Sequence, residues 1–147
     1  MKFKLPKIVL LSFIFACIGV TTEVVFTSLA KLVSNFIADD AIDWALEGKT
    51  YLWMFIIYAS IPFFFKLLEP FVTKFNLFVR ALIAVAGIYI VEFSSGFLLE
   101  LLTGTCPWKY TSGLHLFGYI RLDYFPFWLV FALLIVSIYL MLDKRLD

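Results

Sequence analysis

Residues 124–142 read YFPFWLVFALLIVSIYLML, a stretch with no formally charged side chain. A helix needs about 20 mostly apolar residues to cross the roughly 30 Å hydrocarbon core of a bilayer. This stretch meets that length and breaks off at Asp143, Lys144 and Arg145. Three other stretches read the same way. Residues 8–30 carry one charge, Glu23; residues 81–102 carry Glu92 and, near the exit, Glu100. Residues 50–68 are the shortest apolar run, with Pro62 inside and Lys66 near the end. Lys66 can lie along the helix and lift its ammonium to the interface, and Pro62 removes one backbone hydrogen bond, so a kink is expected there.

Composition agrees. Hydrophobic residues make up 63% of the 147-residue chain, with 18 Phe. Soluble domains hold roughly 45–50%, and a soluble fold this small has too much surface to hide the excess. Mean hydropathy is +1.00. The length suits one domain over 1–147. Net charge is +1, which excludes the basic field of a nucleic-acid binder. Lys2, Lys4 and Lys7 before an apolar run resemble a signal peptide. The run is long enough to span, and no small-x-small cleavage site follows it, so it reads as the first membrane helix.

The expected fold is therefore an all-α membrane protein, a four-transmembrane-helix bundle. Lys and Arg counts orient it, because they favour the cytoplasmic side. The N-tail, the second loop and the C-tail hold eight of them, and the first and third loops hold four. Both termini are expected in the cytoplasm, of a bacterial cell membrane. After the first span, Leu32, Val33, Phe36, Ile37, Ala41, Trp44 and Ala45 recur at helical spacing, with Asp39, Asp40, Asp43 and Glu47 mostly between them. That pattern predicts an amphipathic interfacial helix ending at Gly48. The loop of residues 103–123 is rich in Gly, and Ser112-Gly113 marks a turn. A short hairpin of Trp108-Lys109-Tyr110 with Leu114-His115-Leu116, or a re-entrant loop, is expected in this structured outer loop.

Glu23 and Glu92 are the sharpest chemical features. An ionisable group in a span costs roughly 2.5–3.5 kcal/mol on insertion scales and usually faces protein or water. By helical rise they lie roughly 12 and 15 Å inside the outer ends of their spans. Ser12, Ala16, Gly19, Glu23 and Thr27 form one small, polar stripe; Ala84, Ile88, Glu92 and Gly96, flanked by Ser95, form another. Small residues permit close helix approach, so the stripes are expected to face each other or share a cavity. Two protonated carboxyls bonded to neighbouring helices are the plainer alternative, since desolvation disfavours a charged carboxylate. The third loop adds Cys106, Trp108, Lys109, Tyr110, His115, Arg121 and Asp123. Trp108 and Tyr110 also suit an interfacial belt, and a lone His is more often a surface or packing residue than a base. Cys17 lies in a span, away from Cys106, and no Cys/His spacing resembles a metal site. No P-loop, H-E-x-x-H or dinucleotide fingerprint occurs. No cofactor is implied, and no catalytic motif is recognisable.

Several strings resemble one membrane family. They are 91–99 (VEFSSGFLL), 106–111 (CPWKYT) and 118–124 (GYIRLDY) with Pro126 and Trp128, preceded by 22–27 (TEVVFT) and 50–58 (TYLWMFIIY). The family includes the animal transmembrane protein 229 proteins and bacterial members labelled ABC-transporter type IV membrane proteins. The resemblance implies a multi-span membrane protein and supplies no reaction or substrate. Lys109 stands where the family usually has Asp, and Thr111 where it has Ser; chemistry resting on that Asp would be absent here.

Three functions stay open. One is a small-solute or ion transport component with a carboxylate-lined pocket, homo-oligomeric or paired with a separate membrane or ATPase partner. The second is a lipid-binding or lipid-modifying protein using the loop cations on a headgroup. The third is a structural membrane subunit. In each case the bilayer is the surrounding partner.

Overall fold

The computed structural model describes residues 6–42 and 44–146; Asp43, Lys2 and Lys4 lie outside the described residues. The chain is 73% helical. In chain order it forms α1 (Lys7–Ile37), α2 (Leu52–Ala59), α3 (Ile61–Val72), α4 (Leu77–Thr103), β1 (His115–Leu116), β2 (Ile120–Arg121), a 3-10 turn over Leu122–Tyr124, and α5 (Phe125–Arg145). Four helical stretches are long and apolar enough to cross a membrane: Lys7–Ile37, Leu52–Val72, Leu77–Thr103 and Leu122–Arg145. Their apolar side chains point outward in quantity. Phe13, Val25, Ile90, Leu101, Val130 and Leu134 are all more exposed than buried or nearly so, an arrangement that water would penalise and lipid accepts. The chain is an integral membrane protein by these criteria.

The chain divides into two compact units, one up to Leu67 and one from Leu68 onward. In the first, α1 packs with α2. Phe15 meets Phe65 edge-on at 6.3 Å, and Phe13 meets Phe55 at the same separation. The tightest approach is at Gly19, where the Tyr58 ring occupies the place a Cβ would take.

The expected interfacial helix does not form. α1 continues to Ile37, so Leu32, Val33, Phe36 and Ile37 belong to its last turns. The chain then leaves the helix at Asp39, which adopts φ 57, and Ala41, Trp44 and Ala45 lie in irregular backbone. Residues 46–50 fold back on α1. The Ser28 hydroxyl donates to the Leu46 carbonyl at 2.6 Å, and Thr27 Oγ1 accepts from the Lys49 N–H at 2.8 Å. Gly48 lies so close to the Val24 carbonyl that a Cβ would stand 2.0 Å from it. These bonds, unavailable to a helix lying apart from α1, decide the backbone here.

The second span is one apolar stretch, Leu52–Val72. Its helix is interrupted at Ser60, two residues before Pro62, which sits buried in the first turn of α3. The interruption falls where the missing proline N–H leaves a backbone hydrogen bond unmade. Pro70 is the proline inside that helix.

In the second unit, Asn76 caps α4 by accepting from the Val79 N–H at 3.0 Å. α4 packs with α5. Buried residues repeat at helical spacing on both: Ala81, Ala84, Val85, Glu92, Gly96 and Leu99 on α4, and Phe131, Ala132, Ile135, Val136 and Tyr139 on α5. Gly104 ends α4 in the left-handed conformation, φ 79. A hairpin forms in this loop, but it does not pair 108–110 with 114–116 as expected: His115 lies opposite Arg121 and Leu116 opposite Ile120. Its turn is not Ser112-Gly113. It is Phe117-Gly118, with φ of 52 and 76, closed by the Tyr119 N–H on the Leu116 carbonyl at 3.0 Å. Two positive φ angles in succession match the twist of a tight hairpin. Gly113, at φ 76, bends the chain before β1.

Candidate functional site

Glu92 anchors the candidate site. Its helix places it one turn before Gly96, and the absence of a side chain at Gly96 lets the loop between α4 and α5 settle on that face. A Cβ at Gly96 would lie 3.1 Å from the Tyr119 ring, 3.2 Å from Trp108 Nε1 and 3.3 Å from Cys106 Sγ. Glu92 is only 8% exposed. The Tyr110 hydroxyl donates to its Oε1 at 3.0 Å. Cys106, Trp108 and Tyr110, read as separate loop candidates, are thus brought onto one face of α4 with Glu92.

The loop's cations have their own acids. Lys109 pairs with Glu100 and lies over the Tyr119 ring at 4.0 Å. The Glu100 carboxylate raises the Lys109 ammonium above its ordinary range and holds the Tyr119 phenol up as well. Arg121 donates through Nε to Asp123 Oδ1 at 2.8 Å and pairs with Oδ2 through its second nitrogen. Asp123 raises the guanidinium further above its ordinary value. The guanidinium stacks over Tyr124 at 4.3 Å and approaches Tyr110 at 5.8 Å. It also lies where a Gly113 side chain would be. Tyr89, on α4, donates to the Arg121 carbonyl at 3.5 Å. Burial pushes the Cys106 thiol up. His115 is exposed on β1, opposite Arg121 in the hairpin, and does not join the Glu92 face.

Glu23 belongs to the first unit. Thr50 donates to its Oε2 at 2.9 Å, and the Tyr58 hydroxyl reaches the same oxygen at 3.4 Å. Glu23 and Glu92 are therefore each met by a tyrosine hydroxyl of their own unit. Sequence reading missed Thr50, Tyr58, Tyr89, Glu100 and Tyr124 as members of these networks. Glu100 had a signal, being a second acid on the Glu92 helix; the others are hydroxyls and rings whose partners depend on loop path. Both cysteines are free. Among the described residues, no group of three or more His, Cys, Asp or Glu is placed to hold a metal ion. No family model matches the chain, and no solved structure matches it.

Proposed function

We propose that the protein is a membrane transport component that exchanges a proton or a small cation at Glu92. The observation that carries this reading is a carboxylate buried in an apolar, span-length helix and met by the Tyr110 hydroxyl. Ionisable groups in spans are expensive to insert and characteristically serve ion paths and proton relays. A hydroxyl partner suits exchange. It can rotate to donate to a carboxylate or to accept from a carboxylic acid.

The lipid-headgroup reading is less well supported. A phosphate would need Lys109 or Arg121, and it would have to displace Glu100 from one or Asp123 from the other. The Arg121 pair is two-pronged and stacked on a ring, the strongest form such a pair takes.

Purified protein in liposomes tests the proposal. An inward pH gradient, or a Na⁺ or K⁺ gradient, is imposed and its decay followed with a trapped dye. Faster decay than in protein-free vesicles is expected, lost in Glu92→Gln while the melting temperature holds. Decay at the protein-free rate under all three gradients would reject transport.

A further inference from the structure

We infer that residues 105–121 form a lid over Glu92, hinged at Gly104 and latched by the Tyr110–Glu92 hydrogen bond. The inference rests on the exchange role proposed for Glu92 and names how that site is regulated.

The segment is built to move as one body. Its backbone bonds close on itself: the Tyr110 N–H on the Gly118 carbonyl at 2.8 Å and the Tyr119 N–H on the Leu116 carbonyl at 3.0 Å, beside the paired strands. Its grip on α4 is made by side chains. Tyr110 holds Glu92, Lys109 holds Glu100, and Trp108, Cys106 and Tyr119 rest against Gly96. At the α4 end, Gly104 sits at φ 79, and a Cβ there would meet nothing within 4 Å. Glycine crosses between positive and negative φ at little cost, and open space lets it do so. At the other end, the Arg121–Asp123 pair and the Leu122 N–H on the Leu114 carbonyl tie the segment to the start of α5, while the Tyr89 contact from α4 to the Arg121 carbonyl is long, at 3.5 Å.

The latch responds to the charge on Glu92. A hydrogen bond to a carboxylate is roughly twice as strong as one between neutral groups. When Glu92 takes up a proton or a cation, the Tyr110 hydroxyl loses its charged acceptor and the lid loosens. Tyr89 on the same helix, Asp123 beyond the hairpin, Cys106 beside Gly96, and the Lys109–Glu100 pair act within the same electrostatic neighbourhood. Loading the site thus favours opening above it.

Cys106 is a native reporter. It is 9% exposed, on the inner face of the lid against Gly96. Cys17 is the other cysteine and is exposed on α1. In Cys17→Ala protein in nanodiscs, the rate of Cys106 modification by a maleimide at one fixed pH reads lid opening. Slow modification is expected in the parent, with rates raised about tenfold, the effect of one charge-assisted hydrogen bond, in Tyr110→Phe and less in Glu92→Gln. Gly104→Ala touches neither residue; it strains the closed hinge and raises the same rate, so the inference stays testable if either other variant fails to fold. Melting temperatures exclude global unfolding as the cause. Free-thiol reactivity in the parent, or unchanged rates in the folded variants, overturns the lid. Vesicle flux is a separate readout. Flux without a lid response removes only the lid, and a lid response without flux removes only the exchange role.

Discussion

The Tyr58 ring lies directly on Gly19: a Cβ built on Gly19 would stand 2.1 Å from Tyr58 Cγ. One turn along α1, the same tyrosine's hydroxyl reaches Glu23 Oε2 at 3.4 Å. A glycine thus sets both the α1–α2 packing and the partner of an intramembrane carboxylate. Gly19→Val forces the ring away, and overpacking of this kind costs about 1–3 kcal/mol. Gly87, also inside a helix, has nothing within 4 Å of its Cβ position. Gly87→Ala is expected to be neutral or to stabilise by up to about 1 kcal/mol. Thermal unfolding of the two variants in one detergent checks the contrast, which equal shifts would contradict.

Thr27 pins the back-folded segment. Its hydroxyl meets the Lys49 N–H at 2.8 Å and the Lys49 carbonyl at 3.0 Å. Thr27→Val keeps the shape and removes both bonds, at about 1 kcal/mol. Limited proteolysis is expected to cut within 38–50 sooner than in the parent, with the helices intact. An unchanged cleavage rate would show that Gly48 against Val24 suffices to hold the segment.

The pairing of Lys109 with Glu100 has a defined pH window. Lys109's folded value is raised above its ordinary 10.5. A raised basic group stabilises fully below its unfolded value, and the contribution disappears as pH climbs through the folded value. The melting-temperature difference between wild type and Lys109→Met should therefore stay constant through neutral pH and shrink only above about pH 10.5. A difference that vanishes near pH 7 would contradict the pair. The lysine is exposed, so the difference is expected to be small and to weaken with salt.

Four crossings would put both termini on one face, and the Lys and Arg distribution predicts that this face is the cytoplasmic one. Reporter fusions at each end are expected to give the cytoplasmic signal, and insertions in 38–50 and 104–114 the opposite one. Termini on opposite faces would break the four-span account.

Much of this was legible in the sequence, and the limits have physical causes. Spans are visible because a bilayer imposes length and apolarity on consecutive residues. Glu23 and Glu92 stand out because charge is costly there. The end of α1 was hidden, because the apolar spacing of Leu32 to Ile37 runs on through Ala41 and Trp44 after the helix has stopped. What stops it is a left-handed Asp39 and hydrogen bonds to Thr27 and Ser28, partners set by tertiary approach. The hairpin turn was hidden because Phe117 is an unusual residue for positive φ, whereas Ser112-Gly113 carries the commoner turn signature. Trp108 and Tyr110 read equally well as interfacial anchors; only the path of the loop shows Trp108 against Gly96 and Tyr110 on Glu92. Lys109 has an acid partner nine residues earlier, Glu100, a spacing no local periodicity reveals.

The most direct test of the central claim is an infrared difference titration of the protein in lipid, wild type against Glu92→Gln. Exchange at Glu92 predicts a carboxyl C=O band that appears or disappears with pH or with added Na⁺ or K⁺ and is missing from the variant. Identical difference spectra of the two proteins, across the whole range in which both stay folded, would contradict it.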